Sequence, residues 1–143
     1  MAPVVAIAFK NREFYLSLLG ENTHEYNEFG SGKAETRHWA QAWEFFLLHY
    51  NDDGSVSFES QAFPNVYLRL SGHDNTVNAQ FGAREWEKFK IVRKPASFDG
   101  YAGSVGITST AFPGKFLSIA SDGAVKVAEE FGQSEEFEIV VIG

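Results

Sequence analysis

Short runs of alternating apolar and polar residues, broken by Gly, Asn, Asp or Pro, fill this chain. Val56-Ser57-Phe58-Glu59-Ser60 alternates as a strand with one buried face does. It leads through Ala62-Phe63-Pro64-Asn65 into Val66-Tyr67-Leu68-Arg69-Leu70, with the proline marking a turn between two strands. The same order returns 49 positions on, as Val105-Gly106-Ile107-Thr108-Ser109, Ala111-Phe112-Pro113-Gly114 and Lys115-Phe116-Leu117-Ser118-Ile119. The match runs to the end of each unit, Phe89-Lys90-Ile91-Val92 against Phe137-Glu138-Ile139-Val140. The first third has the same plan: Val4 to Ala8, then Phe14-Tyr15-Leu16-Ser17-Leu18, then Trp43-Glu44-Phe45-Phe46-Leu47-Leu48 against Trp86-Glu87-Lys88-Phe89-Lys90-Ile91. Self-similarity in a constant internal order is the mark of a repeat architecture.

Each repeat predicts about four short strands, and the chain about twelve. The repeats divide at roughly 4–54, 55–100 and 101–143, at the turns Asn51-Asp52-Asp53-Gly54 and Phe98-Asp99-Gly100. Three four-stranded units with pseudo-threefold symmetry make an all-β fold, the β-trefoil, expected here as a single domain over 1–143. The rings of the last strands (Phe46, Phe89, Phe137) and of the second strands (Tyr15, Tyr67, Phe116) are expected in the shared core, with Lys88, Lys90, Glu136 and Glu138 alternating outward. The first repeat is longer. From second-strand ring to last-strand Phe it spans 31 residues, against 22 and 21 in the others, which predicts an inserted loop within 20–33. A helix over 34–50, with Trp39, Ala42, Trp43 and Phe46 apolar, is the competing reading; the repeat match favours a loop followed by a strand.

Asn65-Val66-Tyr67-Leu68-Arg69-Leu70, Pro113-Gly114-Lys115-Phe116-Leu117-Ser118-Ile119 and Arg84-Glu85-Trp86-Glu87-Lys88-Phe89-Lys90-Ile91 resemble the strands of fascin-like, actin-crosslinking β-trefoil domains. The first two are similar to that family's Gly-basic-aromatic-Leu-Ser strand and the third to its Trp-Glu-x-Phe closing strand. Fibroblast growth factors share the three-repeat plan, as do small lectins of mushroom fruiting bodies. Ricin-type lectin trefoils carry Gln-x-Trp in every repeat. Here only Gln41-Ala42-Trp43 has that spacing, so their sugar-contact residues are not carried over.

Composition narrows the function. The 143 residues suit one compact domain, and 14 Phe with a single Met suggest a core built from rings. A net charge of −7 repels phosphate backbones and argues against nucleic acid as a partner. With no cysteine, disulfides, thiol chemistry and the usual structural zinc sites are excluded. The apolar stretch Val4 to Phe9 lacks a basic leader and is a poor signal peptide, and no run reaches the ~20 apolar residues of a membrane span; a cytoplasmic location is the expectation. His24-Glu25-Tyr26-Asn27-Glu28 lacks the second histidine of a zinc-protease motif, and Gly30-Ser31-Gly32-Lys33 lacks the full phosphate-loop pattern. There is no Gly-x-Ser-x-Gly elbow. The reading is of a non-enzymatic module without cofactor or metal.

Polar turns with added rings follow the second strand of each repeat, and this is the composition that sugar recognition uses: a ring for the CH face, fixed polar groups for the hydroxyls. Asp74, Asn75, Asn78 and Asp122 are expected to bond hydroxyls. His24, Tyr26, Asn27, His73 and Trp39 are the expected ring and loop contacts, with Trp39 lacking an aligned partner. Asp, Asn and Gly are equally what hairpin turns require. The expectation is a lectin with up to three shallow sites for glycans or glycoproteins, galactose or N-acetylgalactosamine being suggested by analogy with lectins of this fold. The alternative is an actin-binding or other protein-docking module using Arg84, Lys88, Lys90, Arg93 and Lys94; crosslinking by one trefoil would need a homodimer.

Overall fold

The alternating runs form twelve strands in a computed structural model that describes residues 2–9, 12–20, 24–93 and 104–143. Repeat one holds β1 (Val4–Phe9), β2 (Phe14–Leu19), β3 (Gly32–Arg37) and β4 (Phe46–Tyr50). Repeat two holds β5 (Val56–Ser60), β6 (Val66–Ser71), β7 (Thr76–Phe81) and β8 (Phe89–Arg93). Repeat three holds β9 (Val105–Ser109), β10 (Phe116–Ile119), β11 (Val125–Ala128) and β12 (Phe137–Val141). The turn expected at Phe98-Asp99-Gly100 and the cation Lys94 lie outside the described residues.

First and fourth strands join into a closed antiparallel ring: β1–β4, β4–β5, β5–β8, β8–β9, β9–β12 and β12–β1. Closure of that ring removes the open edges that would otherwise invite pairing with another chain. Second and third strands form the hairpins β2–β3, β6–β7 and β10–β11. These lean together, Gly32 pairing with Ala79 across β3 and β7, and β11 packing on both. A six-stranded barrel with three hairpins is the β-trefoil.

Phe46, Phe89 and Phe137 are buried in the core as expected. Phe58 of β5 lies among them, its ring 6.3 Å from Phe46 and 6.1 Å from Phe89. The second-strand expectation needs correction. The buried residues there are Leu16 and Leu18, Leu68 and Leu70, Leu117 and Ile119, while Tyr15, Tyr67 and Phe116 are only half-buried. Side chains alternate faces along a strand, so once the aliphatic pair faces the barrel the neighbouring ring must face away. Tyr67 shows the consequence: burial, with the Glu59 carboxylate nearby, pushes its phenol above the ordinary value.

Neither a plain loop nor a long helix precedes the fourth strands. Three short 3-10 helices do, at Ala42–Glu44, Glu85–Glu87 and Gln133–Glu135, and Trp43 and Trp86 sit in the first two. Each ends in a buried glutamate that accepts a backbone N–H three residues back: Glu44 from Gln41 at 2.8 Å, Glu87 from Arg84 at 2.6 Å, Glu135 from Gly132 at 2.8 Å. Successive repeats interlock here. Phe63 of repeat two packs on Trp43 at 5.6 Å, and Phe112 of repeat three on Trp86 at 5.4 Å. Gly72 makes room for the second contact, since a Cβ there would lie 2.3 Å from the tip of the Phe112 ring.

The Asn51–Gly54 turn supplies a pH-dependent brace. Asp53 accepts from the Ser55 hydroxyl at 2.6 Å, the Ser55 amide at 3.0 Å and Lys88 at 3.1 Å. Those bonds hold its carboxyl well below the usual 3.8. A carboxyl depressed in the fold stabilises it above that ordinary value and loses the contribution as pH falls below it. Asp53→Asn is therefore expected to be less stable than wild type at pH 7, with the gap closing below the ordinary value of 3.8. Thermal melts of both proteins across that range check it, and a gap that widens in acid overturns it.

Candidate functional site

Each buried 3-10 glutamate takes a further partner from the second strand of its own repeat. In repeats one and three it is a serine, Ser17 donating to Glu44 at 2.7 Å and Ser118 to Glu135 at 2.5 Å. In repeat two the position is Arg69, 1% exposed. Its Nε lies 3.8 Å from Glu87, and its guanidinium sits 4.8 Å from the centre of the Trp86 ring. Planar stacking suits a guanidinium, whose edge donors stay available while its face covers the ring. Those donors reach the backbone carbonyls of Asn27, at 3.4 Å, and Glu28. Burial pushes the Glu87 carboxyl above its ordinary value, against the opposing pull of the Arg84 amide and Arg69.

Asn27 and Glu28 belong to the insertion of repeat one, which lies across repeat two. Gln80 of β7 receives the Asn27 amide at 3.1 Å and the Ser31 hydroxyl at 2.7 Å, and its own NH2 donates to the Asn27 carbonyl. Asn78 donates to the Phe29 carbonyl at 3.2 Å. Gly30 closes this loop at φ 101°, and a Cβ there would fall 2.3 Å from the Asn78 amide nitrogen. Only glycine takes that conformation beside that amide without strain.

The loop thereby walls an open cleft of about 270 Å³. Tyr26 and Glu28 come from the insertion, His73 from the β6–β7 turn, Glu85 and Trp86 from the second 3-10 helix and Arg84 from just before it. The His73 ring meets Trp86 edge-on at 4.9 Å and Phe29 at 5.1 Å, forming an aromatic shelf. Arg84 stacks 3.6 Å above the Tyr26 ring and ties the two walls together. Beneath the shelf, Gln80 and Arg69 use their polar atoms on the loop, and Glu87 uses its carboxylate on Arg69 and the Arg84 amide. Facing solvent are the exposed carboxylates of Glu28 and Glu85, the latter also paired with Lys88, the Arg84 guanidinium and the His73 imidazole. Two carboxylates and one guanidinium over rings can accept and donate hydrogen bonds to a neutral polyol. Among the described residues no three His, Asp or Glu side chains gather to hold a metal ion.

Of the sequence-predicted residues, Tyr26 and His73 meet in this cleft. The others lie elsewhere or already have partners. Asn27 bonds the Phe29 amide through its side chain at 2.9 Å, and Asn78 secures Phe29 as above. Asp74 accepts from Thr76 at 2.7 Å, which with the backbone bonds of the turn depresses its carboxyl. Asn75 takes φ 58° and accepts from Lys115 at 2.6 Å. Asp122 bonds the Ala124 amide at 3.0 Å. The bonds of Asn27, Asp74 and Asp122 are local turn bonds of the kind Asp and Asn make, while Asn75 and Asn78 reach other repeats. His24 is exposed, and Trp39 is half exposed on the segment following β3. In the basic strand, Lys88 pairs with Asp53 and Glu85, at 3.1 and 3.4 Å, and Arg84 covers Tyr26, leaving Lys90 and Arg93 exposed on β8.

Sequence reasoning passed over Glu28, Arg69, Glu85 and Trp86 as site residues, and offered Arg84 only for protein docking. One signal for them was present: Arg69 stands where the aligned strands have Ser17 and Ser118.

No protein-family model matches the chain, and no curated protein does. Solved structures do. The chain superposes on a mosquitocidal holotoxin with TM-score 0.76 at 13% identity, covering all of this chain and 18% of the toxin. It superposes on SeviL bound to the asialo-GM1 saccharide with TM-score 0.74 at 10% identity, each chain covered in full. Against ThreeFoil, a designed three-fold symmetric protein, the TM-score is 0.73 at 12% identity, over 97% of this chain and 99% of the design. At such identities the likeness is one of fold.

Proposed function

We propose that this protein is a carbohydrate-binding module that works without catalysis, and that the cleft between the inserted loop and the second 3-10 helix is its site. The carrying observation is the shelf of His73 on Trp86, set in an open cleft with Glu28, Glu85 and Arg84 at its rim. A pyranose presents an apolar CH face and a ring of hydroxyls, and this arrangement offers a partner for each. Support comes from SeviL, which shares the fold and was solved with a saccharide. The net charge of −7 favours neutral over anionic glycans. Galactose- and N-acetylgalactosamine-terminated glycans are the specificity to test first.

A glycan array followed by calorimetry tests the reading. A set of related neutral terminal sugars is expected, with binding little changed by moderate salt. His73→Ala and Glu85→Gln are each expected to weaken binding about tenfold, or ~1.4 kcal/mol. A blank array at high protein concentration overturns the reading. Co-sedimentation with actin filaments, falling steeply with salt, would then favour the fascin-like alternative.

A further inference from the structure

We infer that Arg69 is the positioning residue of this cleft, and that its presence in one repeat makes the site single in a threefold fold. The inference rests on the proposed carbohydrate site and specifies its assembly and valency.

The three repeats offer the same frame to three different outcomes. Repeat two has a tryptophan in its 3-10 helix and an arginine on its second strand, so the guanidinium covers Trp86 and still reaches outward to two carbonyls of the inserted loop. Repeat one has a tryptophan too, but its arginine comes from the third strand. Arg37 lies 5.1 Å from the centre of the Trp43 ring and bonds Glu35 at 2.7 Å, within its own repeat. Its second strand carries Ser17, which is too short to reach a neighbouring loop. Repeat three has Ser118 on the strand and Ser134 where the tryptophans stand, so it lacks both the ring and the anchor.

The inserted loop belongs to repeat one and covers repeat two. It has no counterpart in the short turns Asp74–Asn75 and Asp122–Gly123. A buried guanidinium whose donors point at backbone carbonyls holds those carbonyls at a set distance from Trp86. That distance fixes where Tyr26 and Glu28 stand relative to His73 and Glu85. Arg69 makes no use of its charge at the cleft rim; it acts through the loop.

The test exploits the sister repeats. Arg69→Ser installs the residue that Ser17 and Ser118 already provide beside an identical glutamate, a local solution this fold uses twice. Arg69→Met is the companion, keeping bulk over Trp86 while removing the donors. Wild type is expected to bind the best array glycan with one site per chain by calorimetry. In both variants affinity is expected to fall at least tenfold, and amides 27–30 to exchange with deuterium at least tenfold faster, with barrel amides unchanged. A purely structural role for Arg69 would instead speed exchange in the barrel as well. Unaltered protection of 27–30 in a folded variant overturns the positioning role, as does unaltered affinity. A stoichiometry of two or three overturns the single site. Should the wild type bind no glycan, the carbohydrate reading fails, while exchange in the loop still decides whether Arg69 holds it.

Discussion

Phe58→Ala is expected to lower the thermal midpoint by about 10–15 °C. Phe58 is fully buried, and it links the Phe46 and Phe89 rings across the barrel interior. Removing a buried phenyl ring costs about 3–5 kcal/mol, as lost transfer energy plus the cavity left behind. For a chain of this size each kcal/mol moves the midpoint by roughly 3 °C. The ring sits inside a closed ring of strands, where neighbours cannot shift inward without breaking interstrand bonds, so little of the cavity can collapse. Thermal denaturation followed by circular dichroism reads the shift. Tyr50→Ala, which removes a ring that is 73% exposed, is the control and should move the midpoint by a degree or two at most, or under ~0.5 kcal/mol. Equal shifts for the two variants would mean that Phe58 is not at the centre of the core.

Trp86→Ser is expected to have the next largest effect, and to abolish glycan binding as well. It copies the residue of repeat three, Ser134, into repeat two. Trp86 touches Arg69, His73 and Phe112, and one substitution removes all three contacts. Because the ring is half-buried, the cost should fall near the lower end for a large aromatic, ~3 kcal/mol. The comparison that isolates the cause is Trp43→Ser, which removes the aligned ring and its contacts with Arg37 and Phe63. Stability should fall comparably in both. Glycan affinity measured by calorimetry should vanish only in Trp86→Ser, because the cleft walled by the inserted loop is lined by Trp86. Loss of binding in both variants would place the site elsewhere than at the second repeat.

Much of the fold was legible because period-two patterning is a local property. A strand declares its buried face through every second residue, and three copies of one pattern declare the symmetry. Phe46, Phe89 and Phe137 could be assigned to the core for that reason. The same logic misplaced Tyr15, Tyr67 and Phe116. Adjacent positions in β2, β6 and β10 offered both a ring and a leucine or isoleucine, and the pattern alone does not say which one the barrel admits. The 3-10 turns were also missed, since three residues are too few for any periodicity to show.

The site was less legible than the fold. Turn residues such as Asp74, Asn75 and Asp122 have the composition of sugar contacts, yet their side chains bond the turn itself or a neighbouring repeat. That engagement depends on distances of a few ångströms, which spacing in sequence does not encode. What sequence by itself determined was the repeat, the strand order, the insertion in repeat one and the serine-to-arginine departure at position 69, all properties of residues near one another in the chain or aligned by it. What only tertiary structure decided was where the insertion goes. Residues 26–30 lie over β6 and β7, about forty to fifty positions away, because the buried guanidinium of Arg69 and the amide of Gln80 supply donors to the backbone carbonyls of Asn27 and Glu28.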